Sequence, residues 1–231
     1  MFCAALRWLS PWSTAVVLAV SLTLSGCAKE HHDSEISCKT SKIPCLSGPA
    51  LVSIDTTKGT VLLRLDGSNA PMTAGNFVDL VNRGVYNGTV FHRVVRSPLP
   101  FVVQGGDPNS ADPKTPVSTY GTGNFIDPST GEARFIPLEL KLKTTKQIQY
   151  GEEISTSGLA GQPILSHVRG AVAMARSTDP NSASSQFYIA LEALPELDGH
   201  YAVFGRVAQG MDVVDRLQQG DKLIRARLIK P

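Results

Sequence analysis

The chain has 231 residues, of which 42% are hydrophobic and 18% are charged. This length and composition are enough for one domain with a sizeable core. The 22 basic and 20 acidic residues give a formal charge of +2, and the sequence contains no basic cluster. Because nucleic-acid-binding proteins concentrate positive charge on one face, the composition argues against nucleic acid as a partner.

Residues 1–26 are predicted to form a signal peptide. Arg7 precedes an apolar run over residues 15–24, which is too short to span a membrane and is followed by small residues. The tetrapeptide Leu-Ser-Gly-Cys that ends at Cys27 resembles the bacterial lipobox, in which the cysteine becomes the lipidated first residue of the mature protein. The alternative is an uncleaved N-terminal anchor. We expect a lipoprotein of the bacterial cell envelope, anchored by acyl chains and facing the periplasm or an equivalent exported compartment.

Residues 27–49 are predicted to form a polar tether between the lipid and the domain, because they show neither helical nor strand periodicity. Once Cys3 leaves with the signal peptide and Cys27 carries the lipid, Cys38 and Cys45 remain. In an oxidising compartment such a pair most simply forms a disulfide.

His31 and His32 offer an alternative in which these histidines and the tether cysteines bind a metal ion. Their spacing matches no structural zinc pattern. We therefore expect solvated tail residues here, and we expect neither a metal site nor a cofactor in the protein.

Short strands and two helices are predicted over the rest of the chain. Residues 51–56 and 60–65 flank a Lys-Gly pair, which is a hairpin signal. Residues 71–83 begin with proline, carry an apolar stripe and stop at a glycine, which predicts a helix. A second helical pattern covers residues 208–219 and also stops at a glycine. Strands separated by turns, together with two helices, are typical of an antiparallel barrel whose open ends are capped.

The segment around Arg93 is the most informative of the chain. If residues 89–95 form a strand, Arg93 points to the face opposite His92, and Val102 shares a face with Gln104 by the same alternation. A guanidinium that stays protonated, beside an apolar surface and an orienting amide, suits a neutral apolar substrate that needs a fixed hydrogen-bond donor. Taken alone, such an arginine is also explained as a solvated edge charge or an ion-pair partner.

Five short strings follow one another in a fixed order. They are Phe-His-Arg-Val at 91–94, Gln-Gly-Gly-Asp at 104–107, Met-Ala-Arg at 174–176, Ser-Gln-Phe-Tyr-Ile at 185–189, and Leu-Asp-Gly, two further residues and Ala-Val-Phe-Gly at 197–205. In this order they resemble the cyclophilin family of peptidyl-prolyl cis/trans isomerases. The resemblance implies a mainly β domain over residues 50–231, a closed eight-stranded antiparallel barrel capped by two α-helices.

The resemblance also implies the activity, a prolyl isomerase that assists the folding of exported proteins. Arg93 would stabilise the twisted prolyl imide, and Gln104 would orient Arg93 and the substrate. The residues implied for substrate binding are Phe101, Val102, Tyr188 and Leu197 in a proline pocket, Ala175, Arg176 and Gln186 in a peptide groove, and Tyr201 where many members have a pocket histidine. The expected partners are proline-containing polypeptide segments, and the expected state is a monomer.

Three features depart from the family pattern. Residues 96–100 make the spacing from Arg93 to Gln104 about three residues longer than usual, which leaves their mutual placement open. Glu196 replaces the tryptophan that helps cyclosporin binding in eukaryotic members. Residues 128–134 and 143–162 are longer than the compact family core and are expected to be surface loops.

Two other classes of function remain as alternatives. One is a non-catalytic module that binds or chaperones proline-containing segments in the same groove. The other is a hydrolase that uses His92 or His167 with a serine such as Ser166 or Ser184. No nucleophile elbow supports the second, and a lone histidine in an apolar strand is most often a satisfied core residue.

Overall fold

The computed structural model describes residues 36–155 and 161–229. The predicted signal peptide, Cys27, His31 and His32 lie outside the described residues, and the interpretations attached to them stay predictions. In the part of the chain that is described, no helix is both long enough and apolar enough to cross a membrane.

Within these residues the chain forms ten strands, two α-helices and several single turns of 3-10 helix. The strands are β1 (Pro49–Thr56), β2 (Gly59–Asp66), β3 (Arg93–Val94), β4 (Val102–Gly105), β5 (Glu139–Lys141), β6 (Ile148–Tyr150), β7 (Ala171–Met174), β8 (Phe187–Ala190), β9 (Val203–Gln209) and β10 (Leu223–Ile229). The helices are α1 (Pro71–Asn82) and α2 (Met211–Arg216).

One antiparallel sheet of eight strands carries the fold, in the order β10-β1-β2-β9-β7-β8-β4-β3. β5 and β6 form a separate hairpin. The mainly β architecture with eight antiparallel strands and two helices is confirmed. The predicted closure of the barrel is wrong, because the ladder ends at β3 on one side and at β10 on the other.

The two edges of the sheet are joined by an irregular segment instead of a strand pair. The Gly88 N–H donates to the Leu223 carbonyl and the Leu223 N–H donates to the Thr89 carbonyl, each at 2.8 Å. Gly88 has a φ of 83°, a left-handed conformation that interrupts a strand. The strand predicted over residues 89–95 is therefore reduced to the two residues of β3.

The main core lies between α1 and the sheet. The Phe77 ring of α1 has its centroid 4.9 to 5.2 Å from the rings of Tyr86, Phe187 and Phe204. All four side chains are fully buried. Large aromatic side chains in such contact supply much of the apolar burial in a domain of this size.

Helix α1 receives its N-terminal cap from a distant strand. Ala70 precedes the helix and has no side chain that can cap it. Instead, the buried carboxylate of Glu139 on β5 accepts the N–H groups of Met72 at 3.0 Å and Thr73 at 2.7 Å, and the Tyr150 hydroxyl at 2.9 Å. Burial raises the pKa of Glu139, while these hydrogen bonds oppose the shift.

Helix α2 is shorter than the predicted span of residues 208–219. β9 continues to Gln209, and Gly210 then turns the chain with a φ of 86°. A side chain at Gly210 would place Cβ 2.6 Å from the Thr60 carbonyl oxygen. At the other end, Leu217 is fully buried but already extended, so the apolar spacing that predicts a longer helix continues past the helix end.

The last part of the predicted tether packs on the domain. Cys38 and Cys45 are joined by a disulfide, the side chains of Ile43 and Leu46 contact the core, and the Leu46 N–H donates to the Pro71 carbonyl at 2.9 Å. The polar composition of the segment hides these two apolar contacts.

Candidate active site

Arg93 and Gln104 lie directly opposite each other on β3 and β4. The Arg93 Nη1 donates to the Gln104 Oε1 at 3.4 Å, and the Arg93 guanidinium lies 5.6 Å from the centre of the Phe101 ring. The cross-strand row continues from Gln104 to Tyr188 on β8 and to Ala173 on β7. Residues in such a row face the same side of a sheet, so the donor, its amide and an aromatic ring are brought together.

The additional residues between the two strands do not disturb this pairing. The Val95 N–H donates to the Val102 carbonyl and the Phe101 N–H to the Val95 carbonyl, each at 2.9 Å, and these bonds close the loop at its base. Arg96 reaches across to α2, where its Nη2 donates to the carbonyls of Val214 and Leu217. The insertion is thus accommodated outside the strand register.

A cavity of about 270 Å³ opens beside Arg93. Its lining contains nine of the ten residues predicted for catalysis or substrate binding: Arg93, Phe101, Val102, Gln104, Ala175, Arg176, Tyr188, Leu197 and Tyr201. Aromatic and aliphatic side chains alternate with polar ones in the wall, with Arg93 and Gln104 at one side and Arg176 at the other. Such a cavity fits a small ring and offers a charged donor on each side of it.

Gln186, the tenth predicted residue, connects the site to a neighbouring groove. Its Oε1 accepts from the Gln104 Nε2 at 3.2 Å, and its Nε2 donates to the carbonyls of Gly121 and Gly123, each at 2.9 Å. The buried carboxylate of Asp107 in turn accepts the backbone N–H groups of both glycines. The orientation of Arg93 is therefore tied to a backbone loop through two amide side chains.

Arg176 forms the opposite rim and is held on several sides. Its guanidinium lies 4.6 Å from the centre of the Tyr201 ring and donates to the His200 carbonyl. It also pairs with Glu153, whose other carboxylate oxygen lies 3.2 Å from the His200 Nδ1. The hydrogen bond from His200 is the main cause of the lowered pKa of Glu153. Part of the long loop predicted over residues 143–162 therefore reaches the rim of the site.

The structure does not support the hydrolase alternative. The His167 Nε2 lies 2.8 Å from the Tyr188 hydroxyl and its Nδ1 lies 2.7 Å from an Asp198 carboxylate oxygen, so neither nitrogen activates a serine. The Ser184 hydroxyl accepts the Phe125 N–H instead. Neither ring nitrogen of His92 has a hydrogen-bond partner in the described ranges.

A second cavity, of about 450 Å³, lies on another part of the surface beside Arg64 and Arg206. It contains none of the ten predicted residues, so size alone does not locate the site. Across residues 36–155 and 161–229, no three His, Cys, Asp or Glu side chains lie close enough together to hold a metal ion.

Three residues near the site were not predicted to act there. His167 was considered only as a hydrolase base, and Asp198 only as part of the Leu-Asp-Gly string. Glu153 lies in a loop that carries no recognisable pattern. In the sequence, the one signal is the histidine that precedes β7, and a histidine alone does not identify its hydrogen-bond partner.

Comparison with known proteins agrees with this geometry. Residues 51–230 match the family described as cyclophilin type peptidyl-prolyl cis-trans isomerase/CLD. The chain is 39% identical over 197 residues to a protein of Synechocystis named as a thylakoid lumen peptidyl-prolyl cis-trans isomerase, covering 81% of this chain and 48% of that protein. The chain thus spans about half the length of this relative.

A peptidyl-prolyl cis-trans isomerase of Helicobacter pylori is 33% identical over 178 residues, which cover 76% of this chain and 85% of that protein. The crystal structure of a cyclophilin type peptidyl-prolyl cis-trans isomerase from Cryptosporidium parvum superposes with a TM-score of 0.57 at 23% identity, covering 79% of this chain and 99% of that one. This last likeness concerns the fold alone. The family match, the relatives and the fold together show that the chain belongs to the cyclophilin-type peptidyl-prolyl cis-trans isomerases.

Proposed function

We propose that this chain catalyses cis/trans isomerisation of prolyl bonds in polypeptide segments, with Arg93 as the catalytic donor. The observation that carries the proposal is the cross-strand pair of Arg93 and Gln104 beside an apolar cavity of about 270 Å³. Family membership and the names of the relatives support the same activity.

The reaction needs neither a nucleophile nor a proton transfer. Rotation about a prolyl bond is slow because amide resonance is lost, at a barrier of about 18–20 kcal/mol. In the twisted state the imide nitrogen becomes pyramidal and its lone pair can accept a hydrogen bond. Arg93 would donate to that lone pair, and each 1.36 kcal/mol of selective stabilisation gives about a tenfold increase in rate.

The other residues hold the substrate while the bond rotates. Phe101, Val102, Tyr188 and Leu197 would enclose the proline ring, with Tyr201 at the rim. Ala175, Arg176 and Gln186 would line the groove for the extended peptide. Because these contacts are the same in the ground state and the transition state, they would contribute to affinity, whereas Arg93 would contribute to the chemical step.

We further propose that the protein acts on exported polypeptides from a lipid anchor at Cys27. The lipobox-like tetrapeptide supports the anchor, and the disulfide between Cys38 and Cys45 fits an oxidising compartment. The Synechocystis relative is named for the thylakoid lumen, which is also reached by export.

A non-catalytic peptide-binding module is the competing function. A protease-free assay on a proline tetrapeptide separates the two, with the full-length chain purified in detergent and magnetisation exchange between the cis and trans signals as readout. We expect acceleration at catalytic amounts of protein. Tetrapeptide binding without acceleration would establish the binding module and refute the enzyme.

A further inference from the structure

Beneath the proline cavity, Tyr188, His167 and Asp198 form a buried hydrogen-bonded chain. The Tyr188 hydroxyl lies 2.8 Å from the His167 Nε2, and the His167 Nδ1 lies 2.7 Å from the Asp198 Oδ1. The same Asp198 oxygen accepts the backbone N–H of His167 at 2.8 Å. His167 and Tyr188 are only 2% and 4% exposed, so water does not compete for the bond between them.

The direction of each hydrogen bond follows from the ionisation of the three groups. Burial lowers the pKa of His167, although Asp198 and then Glu196 oppose the shift, and burial raises the pKa of Tyr188. The imidazole is therefore neutral and the phenol protonated at neutral pH. The Nδ1–H must donate to Asp198, because a carboxylate only accepts, which leaves Nε2 to accept from Tyr188.

The hydrogen-bonded chain of Tyr188, His167 and Asp198 joins two walls of the cavity. The Tyr188 ring on β8 forms one wall, and Asp198 directly follows Leu197, which forms another. The Tyr188 ring also meets the Tyr201 ring edge to face, with centroids 5.9 Å apart. A movement of the Tyr188 ring that displaces its hydroxyl therefore has to stretch or break the bond to His167.

We propose that His167 and Asp198 are positioning residues of this enzyme, which hold the Tyr188 ring in place and keep its hydroxyl turned away from the bound proline. This inference rests on the proposed isomerase function. The Tyr188 ring contacts the proline ring equally before and during bond rotation. His167 and Asp198 therefore affect substrate affinity, whereas Arg93 acts on the chemical step.

Substitution of Tyr188→Phe in the full-length chain tests the proposal, because it keeps the ring and removes only the anchor. We expect KM to rise about three- to tenfold, the usual effect of losing one buried hydrogen bond, with kcat within about twofold of the wild type. The matched control is Tyr86→Phe, which removes another buried tyrosine bond, 3.0 Å long, to the Ser185 carbonyl outside the cavity. Its KM should equal that of the wild type.

A second measurement follows KM as a function of pH. Asp198 and Glu196 are the charged groups that act on His167, and Tyr188 faces its other nitrogen. Because burial lowers the pKa of His167, Nε2 takes up its proton only below the ordinary histidine value of 6.5. It then donates to the Tyr188 oxygen, and the Tyr188 O–H has to find another acceptor. KM of the wild type should therefore rise at acid pH, as His167 becomes protonated, and KM of Tyr188→Phe should not.

The outcomes separate the two proposals. An inactive wild-type chain refutes the isomerase itself. An active protein whose KM is unchanged in Tyr188→Phe, or whose wild-type KM stays constant while His167 becomes protonated, overturns the positioning role. A KM increase of the same size in Tyr86→Phe also overturns it, because the effect would then reflect general loosening of the core.

Discussion

At the scale of single residues, the orientation of Arg93 depends on two amide side chains and a backbone loop behind them. Gln104 accepts from its guanidinium, Gln186 bonds to Gln104, and the loop at Gly121 holds Gln186. A long flexible side chain loses much conformational freedom when it is fixed in one geometry. If Arg93 is the donor that we propose, an arginine already held in position avoids that loss in the transition state.

Glu196 should make the site weakly sensitive to cyclosporin. It is exposed on the 3-10 turn Pro195–Leu197, one residue before a side chain that lines the cavity. A carboxylate in place of an indole removes a donor and presents a charge to an apolar ligand, a loss of about 2–4 kcal/mol or roughly thirty- to a thousandfold in affinity. Substitution of Glu196→Trp should restore part of this affinity and therefore lower the inhibition constant for cyclosporin.

The matched control is Glu192→Trp, which places the same indole on an exposed position outside the cavity lining. It should leave inhibition unchanged. Nanomolar inhibition of the unmodified protein would contradict this assignment of the rim.

At the scale of elements, helix α1 depends on a strand far away in sequence. Glu139 satisfies two backbone N–H groups that every helix leaves unpaired at its start. Substitution of Glu139→Ala should lower the free energy of unfolding by about 1–3 kcal/mol, because both donors stay buried without an acceptor. Glu139→Gln should cost less, since its amide oxygen can still accept. Urea unfolding followed by circular dichroism measures both values.

Glu132→Ala is the control for this pair, because it truncates an exposed glutamate side chain on a neighbouring turn. Its free energy of unfolding should stay within about 0.5 kcal/mol of the wild type. Equal stability of Glu139→Ala and Glu132→Ala would show that the helix start is satisfied in another way.

Elements with a strong local pattern were predictable, and those set by distant contacts were not. The hairpin of β1 and β2 and helix α1 follow from turn residues, a proline at the helix start and an apolar stripe. Helix α2 is shorter than its pattern predicts. Gly210 turns the chain after β9, and Leu217 is buried in the core in an extended conformation. The eight-stranded sheet stays open because an irregular segment at Gly88 lies between its two edge strands, and no periodicity describes that segment.

The same distinction applies to the site. The predicted cavity residues follow from the resemblance of the five strings to the family, and strand alternation adds only that Gln104 shares a face with Val102. His167, Asp198 and Glu153 come from three separate segments, and their contacts exist only once the whole domain is folded. Long-range pairing of this kind has no local sequence signal.

At the scale of the whole molecule, the predicted lipid anchor would decide where the protein works. We expect the mature protein to begin at a lipidated Cys27 and to remain with the membrane fraction, because acyl chains partition into the bilayer. Mass spectrometry of the membrane-extracted protein should find acylated Cys27 at its N-terminus, and Cys27→Ser should release it. Normal membrane retention of Cys27→Ser, or a soluble protein with a different N-terminus, would contradict the anchor.

The whole account depends on Arg93 as the donor in the twisted state. Arg93 is exposed beside the cavity and adds little to the core, so Arg93→Ala should keep its unfolding free energy and its tetrapeptide binding. Arg93→Lys should also be poor, because an ammonium on a flexible stem does not reproduce a planar donor. Arg227→Ala, which removes an exposed arginine of β10, is the control and should keep the wild-type rate.

The most direct test is kcat for proline tetrapeptide isomerisation by wild type and Arg93→Ala, measured on the full-length chain without a coupled protease. We expect kcat to fall about a hundredfold, as for loss of one preorganised donor at a developing lone pair, with tetrapeptide affinity nearly unchanged. A variant that binds the tetrapeptide and isomerises it at the wild-type rate would contradict the mechanism.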